Sequence, residues 1–215
     1  MKIFALAVLA ASAGVASASV TVSQWDLTGA PGDQAFTAGS GITHVSATNL
    51  TRGTGLGVSA AGNSFSSLGW TQQTTDYFSW GFSVDAGYAV NLDKLYIGTR
   101  SSNTGPGLMG LYYSGDGFAT AITTFAQVGT AFNNMAIDLS ALPNVSGNVE
   151  FRVVQIGNVA ANGGTTSSSG TFRFTAYFIN STFDRNLQFT GDVVPTPGAM
   201  ALLGLGGLVA GRRRR

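Results

Sequence analysis

The sequence predicts an all-β domain, a two-sheet antiparallel sandwich of jelly-roll type, set between two targeting segments. Three observations carry this reading. Runs rich in Val, Ile, Thr, Phe and Tyr alternate apolar with polar residues, the period of a strand. Clusters of Gly, Asn, Ser and Asp punctuate those runs at short intervals, as tight turns require. Between residues 19 and 192 no long stretch carries the amphipathic helical repeat that parallel βαβ units need.

The first element is a leader. Lys2 is followed by the apolar run Ile3 to Ala13 and then by Ala16-Ser17-Ala18, a small-x-small cleavage pattern. This order predicts a secretory signal peptide over residues 1–18, cut between Ala18 and Ser19, with Ala16 and Ala18 as the recognised small residues. The implied partners are the Sec export machinery and signal peptidase.

Composition of the remainder sets limits on function. There is no Cys, which excludes disulfides, a thiol nucleophile and any Cys-based zinc site. Without both targeting segments about 175 residues remain, enough for one domain with a sizeable core. The formal charge of +1 conceals an acidic domain. Lys2 and the four terminal Arg belong to targeting segments, and removing these five from the eleven basic residues leaves six against ten acidic ones. Nucleic acid is excluded as a partner on this balance, because its binding depends on Lys and Arg neutralising phosphates.

Strands are predicted near Val20 to Trp25, Ile42 to Ala47, Tyr77 to Val84, Leu95 to Thr99, Met109 to Ser114, Met135 to Leu139, Val149 to Ile156, Thr171 to Ile179 and Leu187 to Val193. Alternation identifies the core-facing sides. Phe78, Trp80, Phe82 and Val84 share one face, with Ser79, Gly81 and Ser83 opposite. Phe151, Val153 and Gln155 form a second set with Arg152 outward, and Phe172, Phe174, Ala176 and Phe178 a third, with Arg173 and Thr175 outward. Residues 162–170 contain no apolar side chain and several Gly, predicting a mobile surface connection. Gly53-Thr54-Gly55-Leu56-Gly57 lacks the Lys-Ser or Lys-Thr of a phosphate-binding loop and reads as a turn.

The final element is the tail, residues 193–215: Val-Val-Pro195-Thr196-Pro197, an uncharged apolar segment from Gly198 to Gly211, and Arg212, Arg213, Arg214 and Arg215. As a helix, the segment from Pro197 to Arg212 would be about 21 Å long and from Val193 about 28 Å, against a hydrocarbon core of about 30 Å. Such a helix just spans, with the arginines held on the cytoplasmic side. The Pro-x-Pro, apolar helix and basic cluster resemble the PEP-CTERM sorting signal of exported bacterial proteins. This chain has Thr196 where that family usually has Glu. The resemblance implies recognition and removal of the tail by an exosortase-type enzyme, transient anchoring in the inner membrane, and delivery to the cell surface or extracellular matrix. An ordinary anchor that stays in place remains open on length alone.

A second, internal pattern resembles β-sandwich domains of PEP-CTERM proteins. Residues 95–106, Leu-Tyr-Ile-Gly-Thr-Arg-Ser-Ser-Asn-Thr-Gly-Pro, are followed by the turn Tyr113-Ser114-Gly115-Asp116-Gly117-Phe118. Leu50 to Leu56 and Asp76-Tyr77-Phe78 fit the same pattern, whereas Gly170 to Val193 lacks the Ile-Asp-Asn-Val type of closing strand.

Candidate chemistries are sparse. His44 is the single histidine, so a His-based zinc site is excluded and any Ser-His-Asp triad would have to use it; it reads as a surface or strand histidine. Glu150 is the single Glu, and with Asp138 it offers a pair of carboxylates of the kind a glycosidase uses, if the fold brings them together. Asp85, Asp93 and Asp116 read as turn-shaping residues. No cofactor or metal is expected, although a structural Ca²⁺ on Asp side chains and loop carbonyls stays open. Trp70, in a Gly-Trp-Thr-Gln-Gln segment, and Tyr113, out of phase with Tyr112, are the candidate exposed aromatics for stacking on a sugar ring. The resulting expectation is an exported, non-enzymatic cell-envelope or matrix protein. A carbohydrate-binding module for extracellular polysaccharide is the alternative, and a glycan-active enzyme a further one.

Overall fold

The computed structural model describes residues 19–196. The predicted signal peptide, Pro197 and the apolar and arginine-rich parts of the tail lie outside the described residues. Among the described residues no helix is long and apolar enough to cross a membrane.

The described chain is all-β. In chain order the strands are β1 (Val20–Trp25), β2 (Pro31–Gly32), β3 (Gly39–Gly41), β4 (Val45–Ala47), β5 (Thr51–Arg52), β6 (Gly57–Val58), β7 (Ser64–Leu68), β8 (Tyr77–Val84) and β9 (Tyr88–Ser101). After β10 (Leu108–Tyr113) comes a single 3-10 turn, Ser114–Asp116. Then follow β11 (Thr123–Ala126), β12 (Asn133–Asp138), β13 (Gly147–Gln155), β14 (Phe172–Thr175), β15 (Tyr177–Ile179), β16 (Thr182–Arg185) and β17 (Leu187–Pro195).

Two sheets face each other. The smaller runs β11-β10-β13-β8-β4, with β5 also on β8. The larger is centred on β9, which pairs with β12 on one side and with β14 and β17 on the other. β7 and β1 continue that sheet outward, β7 against β14 and β1 against β17. All main pairings are antiparallel, and the short β2 lies parallel to β7.

The predicted core faces meet between the sheets. From the smaller sheet, β8 supplies Phe78, Trp80 and Phe82, β13 supplies Phe151 and Val153, and β10 supplies Met109 and Leu111, all buried. From the larger sheet come Trp25, Phe65, Leu95, Ile97, Phe172, Phe174 and Phe189, also buried. Their rings interlock edge to face: Trp80 meets Phe174 at 5.0 Å and 84°, and Phe78 meets Phe174 at 5.0 Å and 79°. That geometry sets the positive edge of one ring against the negative face of the next, adding to the gain from burial.

Several boundaries differ from expectation for identifiable reasons. The segment predicted as a strand over Ile42 to Ala47 contains a turn, in which Val45 N–H donates to Ile42 O at 2.9 Å and His44 adopts φ 67°. Asp93 lies inside β9 and not in a turn. The register passes from Thr190↔Lys94 to Gly191↔Leu92, so Asp93 is the extra residue of a bulge, where a strand tolerates a poor strand former. Residues 162–170 are tied down by their backbone, with Ser167 N–H on Thr104 O and Gly69 N–H on Ser168 O, both at 2.9 Å.

The strand predicted over Thr171 to Ile179 stops at Thr175. Thr175 pairs with Gly98, and along the same edge of β9 the pairing resumes with Gln188 on Tyr96. β14 and β17 are therefore one strand line, and residues 176–186 loop out of it as the β15–β16 hairpin. The hairpin turns at Asn180 and Ser181, whose φ values of 49° and 63° are those of a two-residue type I′ turn. Phe178 thus leaves the core face of β14 and joins the hairpin.

Candidate functional site

Neither predicted stacking aromatic presents a free ring. Trp70 is 1% exposed. It packs edge-on against Phe78 at 5.3 Å and Phe172 at 5.4 Å, and its Nε1–H donates to Ser67 O at 3.1 Å. Gly69 and the Gln-rich neighbours suggested a loop, and the residue indeed follows β7, but its ring folds back between the sheets. Tyr113 continues the inward phase of Met109 and Leu111 on β10 and lies 5.4 Å from Phe151, so Tyr112 is the outward tyrosine. The turn after β10 covers the Tyr113 ring: a Cβ on Gly115 would sit 2.1 Å from Tyr113 Cε1. Burial raises the Tyr113 phenol above its ordinary value, and the nearby Asp116 carboxylate raises it further.

The polar face of the smaller sheet forms a groove of about 610 Å³, lined by Thr48, Asn49, Thr51, Ser79, Ser114 and Glu150 among others. The alternation of β8 turns Ser79 and Ser83 outward as Phe78, Trp80 and Phe82 turn inward. Glu150, across from Gly81 on β13, is held at one oxygen. Ser79 Oγ–H and Arg152 Nε–H both donate to Glu150 Oε1 at 2.7 Å. Arg152 is itself clamped between aromatic faces, 4.2 Å from the Tyr77 centroid and 4.0 Å from that of Phe118. The result is a fixed acceptor, Glu150 Oε2, beside a row of hydroxyl and amide groups.

Glu150 and Asp138 are not brought together. Asp138 ends β12 on the larger sheet, where Ser140 N–H and Oγ–H donate to its Oδ1 at 2.9 and 2.6 Å and hold its carboxyl below the usual range. Among the described residues no group of three His, Cys, Asp or Glu side chains gathers as a metal site. Asp76 and Asp116 shape turns: Asp76 Oδ2 accepts from Thr71 and Gln73 N–H, and Asp116 from Ala119 and Thr120 N–H.

Just before β4, His44 stacks on Tyr88, with centroids 3.6 Å apart and planes at 12°, and its Nδ1 lies 3.1 Å from Asp85 Oδ2. This pair borders an open cleft with Val20, Ile42, Val193 and Pro195. Here β17 runs beyond the predicted domain limit at residue 192. Val193, Val194 and Pro195 pair with Val90, Ala89 and Tyr88, and Thr196 N–H donates to Gly87 O at 2.9 Å. Of the predicted sorting residues, Pro195 and Thr196 therefore belong to the folded domain. Pro197, Arg212 to Arg215, and the cleavage residues Ala16 and Ala18 lie outside the described residues; Ser19 directly precedes β1.

Sequence reasoning missed Ser79 as a groove residue and Arg152 as the partner that holds Glu150, although the β8 alternation already placed Ser79 opposite the core and Arg152 was assigned outward. No protein-family model matches the chain, and neither does any curated protein or solved structure.

Proposed function

We propose that this chain is an exported, non-enzymatic cell-envelope or matrix protein, sorted through its C-terminal tail and released by exosortase-type cleavage. The observation that supports this reading is where the described strands lie relative to the tail. Among the described residues the most C-terminal backbone bond is Thr196 N–H to Gly87 O, directly before Pro197. Residues 198–215, which hold the apolar run and the arginines, follow that point in sequence, so a cut after it leaves every strand pairing of the described residues intact. The sandwich is of jelly-roll type on this reading, supported by a chain that passes from one sheet to the other between β7 and β8, β8 and β9, β9 and β10, and β13 and β14. A reporter fused to residues 193–215 is expected to be held at the inner membrane and shortened, and deletion of Arg212 to Arg215 to abolish both. Retention and processing that survive the deletion overturn the proposal.

The groove around Glu150 favours a second reading, binding of a neutral polysaccharide. Its test is a polysaccharide array with Glu150→Gln and Ser79→Ala as the sensitive variants. Binding that is equal in both variants and the parent protein sinks it.

A further inference from the structure

The opposite face of the molecule, on the larger sheet, carries an arrangement that the groove does not explain. Arg173 on β14 stands directly across from Arg100 on β9. Like charges in that position repel, and neither arginine has a carboxylate partner among the described residues. Only Arg100 Nε is engaged, donating to Thr130 O at 2.7 Å. Burial lowers the Arg173 value, and the Arg100 charge lowers it further. In an acidic domain with six basic residues, two of them are spent on a repulsive pair.

A cleft of about 380 Å³ is lined in part by Phe132, whose ring also caps this pair. The ring is 59% exposed, and its centroid lies 4.7 Å from Arg100 Cζ and 5.8 Å from Arg173 Cζ. Gly62, Asn63, Asn134, Thr175, Phe178 and Ser181 line the rest, Phe178 and Ser181 being supplied by the hairpin that loops out between β14 and β17, and the two arginines adjoin the cleft through Phe132 without lining it. Thr175 is 3% exposed, yet its Oγ1 has no hydrogen-bond partner. A buried hydroxyl without a partner is costly and marks a place where a ligand group or water belongs. Gly98 lets Thr175 and Asn134 converge here, since a Cβ on it would come 2.6 Å from Thr175 Oγ1 and 2.9 Å from Asn134 Oδ1.

We propose that this cleft, together with the arginine pair on the other side of Phe132, binds a carboxylated sugar, a uronate unit of an acidic glycan. The carboxylate sits on Arg100 and Arg173, whose planar forks match its two oxygens. A ring hydroxyl completes Thr175 Oγ1, the Asn134 amide takes another, and the apolar face of the ring lies on Phe132. A single cation pair on an acidic domain suits one carboxylate and not the phosphate ladder of a nucleic acid, which needs an extended basic track. This site is separate from the Glu150 groove and stands or falls independently of it.

The test is titration of the full-length protein with a galacturonate trimer, with a neutral galactose trimer and sodium sulfate in parallel. Saturable binding of the acidic trimer is expected, weakened by salt, and at least roughly tenfold weaker for R100Q/R173Q, for F132A and for the neutral trimer. Absence of binding at millimolar trimer, unchanged affinity in R100Q/R173Q, or displacement of the trimer by an equal concentration of sulfate overturns the proposal. Should the double variant unfold, amide shifts in the parent protein decide. Trimer-induced shifts at Gly98, Asn134 and Thr175 support the site, and shifts confined to other residues refute it.

Discussion

Arg52 grips the Ser66 carbonyl oxygen with two nitrogens, Nε at 3.1 Å and Nη2 at 2.8 Å, and so reaches from the smaller sheet to the larger. The same guanidinium donates to Gly32 O at 2.6 Å, Gln34 O at 2.5 Å and Ser67 Oγ at 2.7 Å, and lies 3.7 Å from the Phe65 centroid. Burial lowers its pKa to about 10, partly offset by Asp33, so it remains charged at neutral pH. Arg52→Ala leaves several carbonyls without donors and is expected to cost about 2–4 kcal/mol in denaturant unfolding. Arg52→Lys restores little, because one ammonium cannot reach acceptors spread over β2, β7 and the segment between β2 and β3. A loss below 1 kcal/mol for Arg52→Ala, roughly that of an ordinary surface change, contradicts this role.

Trp70 is a stability residue. Its removal opens a void between Phe78 and Phe172, so Trp70→Ala is expected to destabilise by about 3–5 kcal/mol. Thermal melting of the variant against Tyr112→Ala, an outward aromatic, provides the check. Equal, small losses in the two variants would contradict the buried placement.

Tyr113 makes stability fall at high pH. A phenol whose folded value is raised keeps its proton longer in the folded than in the unfolded chain. Its contribution is fully present below the ordinary value of about 10 and is lost as pH rises through the folded value. Denaturant midpoints measured near pH 8 and near pH 11 are expected to converge more closely for Tyr113→Phe than for the parent protein. Asp116→Asn removes one of the two raising influences and is expected to act in the same direction, more weakly.

The hairpin is separable from the sheet. Joining Thr175 directly to Leu187 gives Phe172-Arg173-Phe174-Thr175-Leu187-Gln188-Phe189, in which the buried Phe172, Phe174, Leu187 and Phe189 keep one alternation and the register on β9 is continuous. Deletion of residues 176–186 is expected to leave a single cooperative unfolding transition with its midpoint little changed. Loss of cooperativity would show that the hairpin, through Ala176 or Phe178, is required by the core.

The strands legible in the sequence were those whose alternation is complete in themselves. β8 occurs with the predicted limits because it carries its own apolar face, and β1 does so too although a bulge between Thr21 and Ser23 breaks its phase and buries both Val22 and Trp25. β7 escaped notice because Ser-Phe-Ser-Ser-Leu lacks β-branched residues. Its Ser64, Ser66 and Ser67 are buried by neighbouring strands, which a local pattern does not register. Nothing local in the sequence sets Arg100 beside Arg173, since only the β9–β14 register does so. Tyr113 was misassigned by one step of parity: of two adjacent tyrosines, the sequence does not say which faces in. Arg52 was invisible for a different reason, its acceptors being main-chain oxygens that any sequence supplies.

Among the described residues Thr196 is the most C-terminal one bonded to the sandwich, and β17 leads to it flanked by β9 over Gln188 to Pro195 and by β1 over Leu187 to Gly191. A pull applied beyond Thr196 acts along the strand axis. It loads the hydrogen bonds on both sides of β17 together, in shear, and does not peel them one after another. On the proposed role, in which the tail holds the domain at the membrane before cleavage, that load would fall on the ladder between Tyr88 and Pro195 and not on the aromatic core.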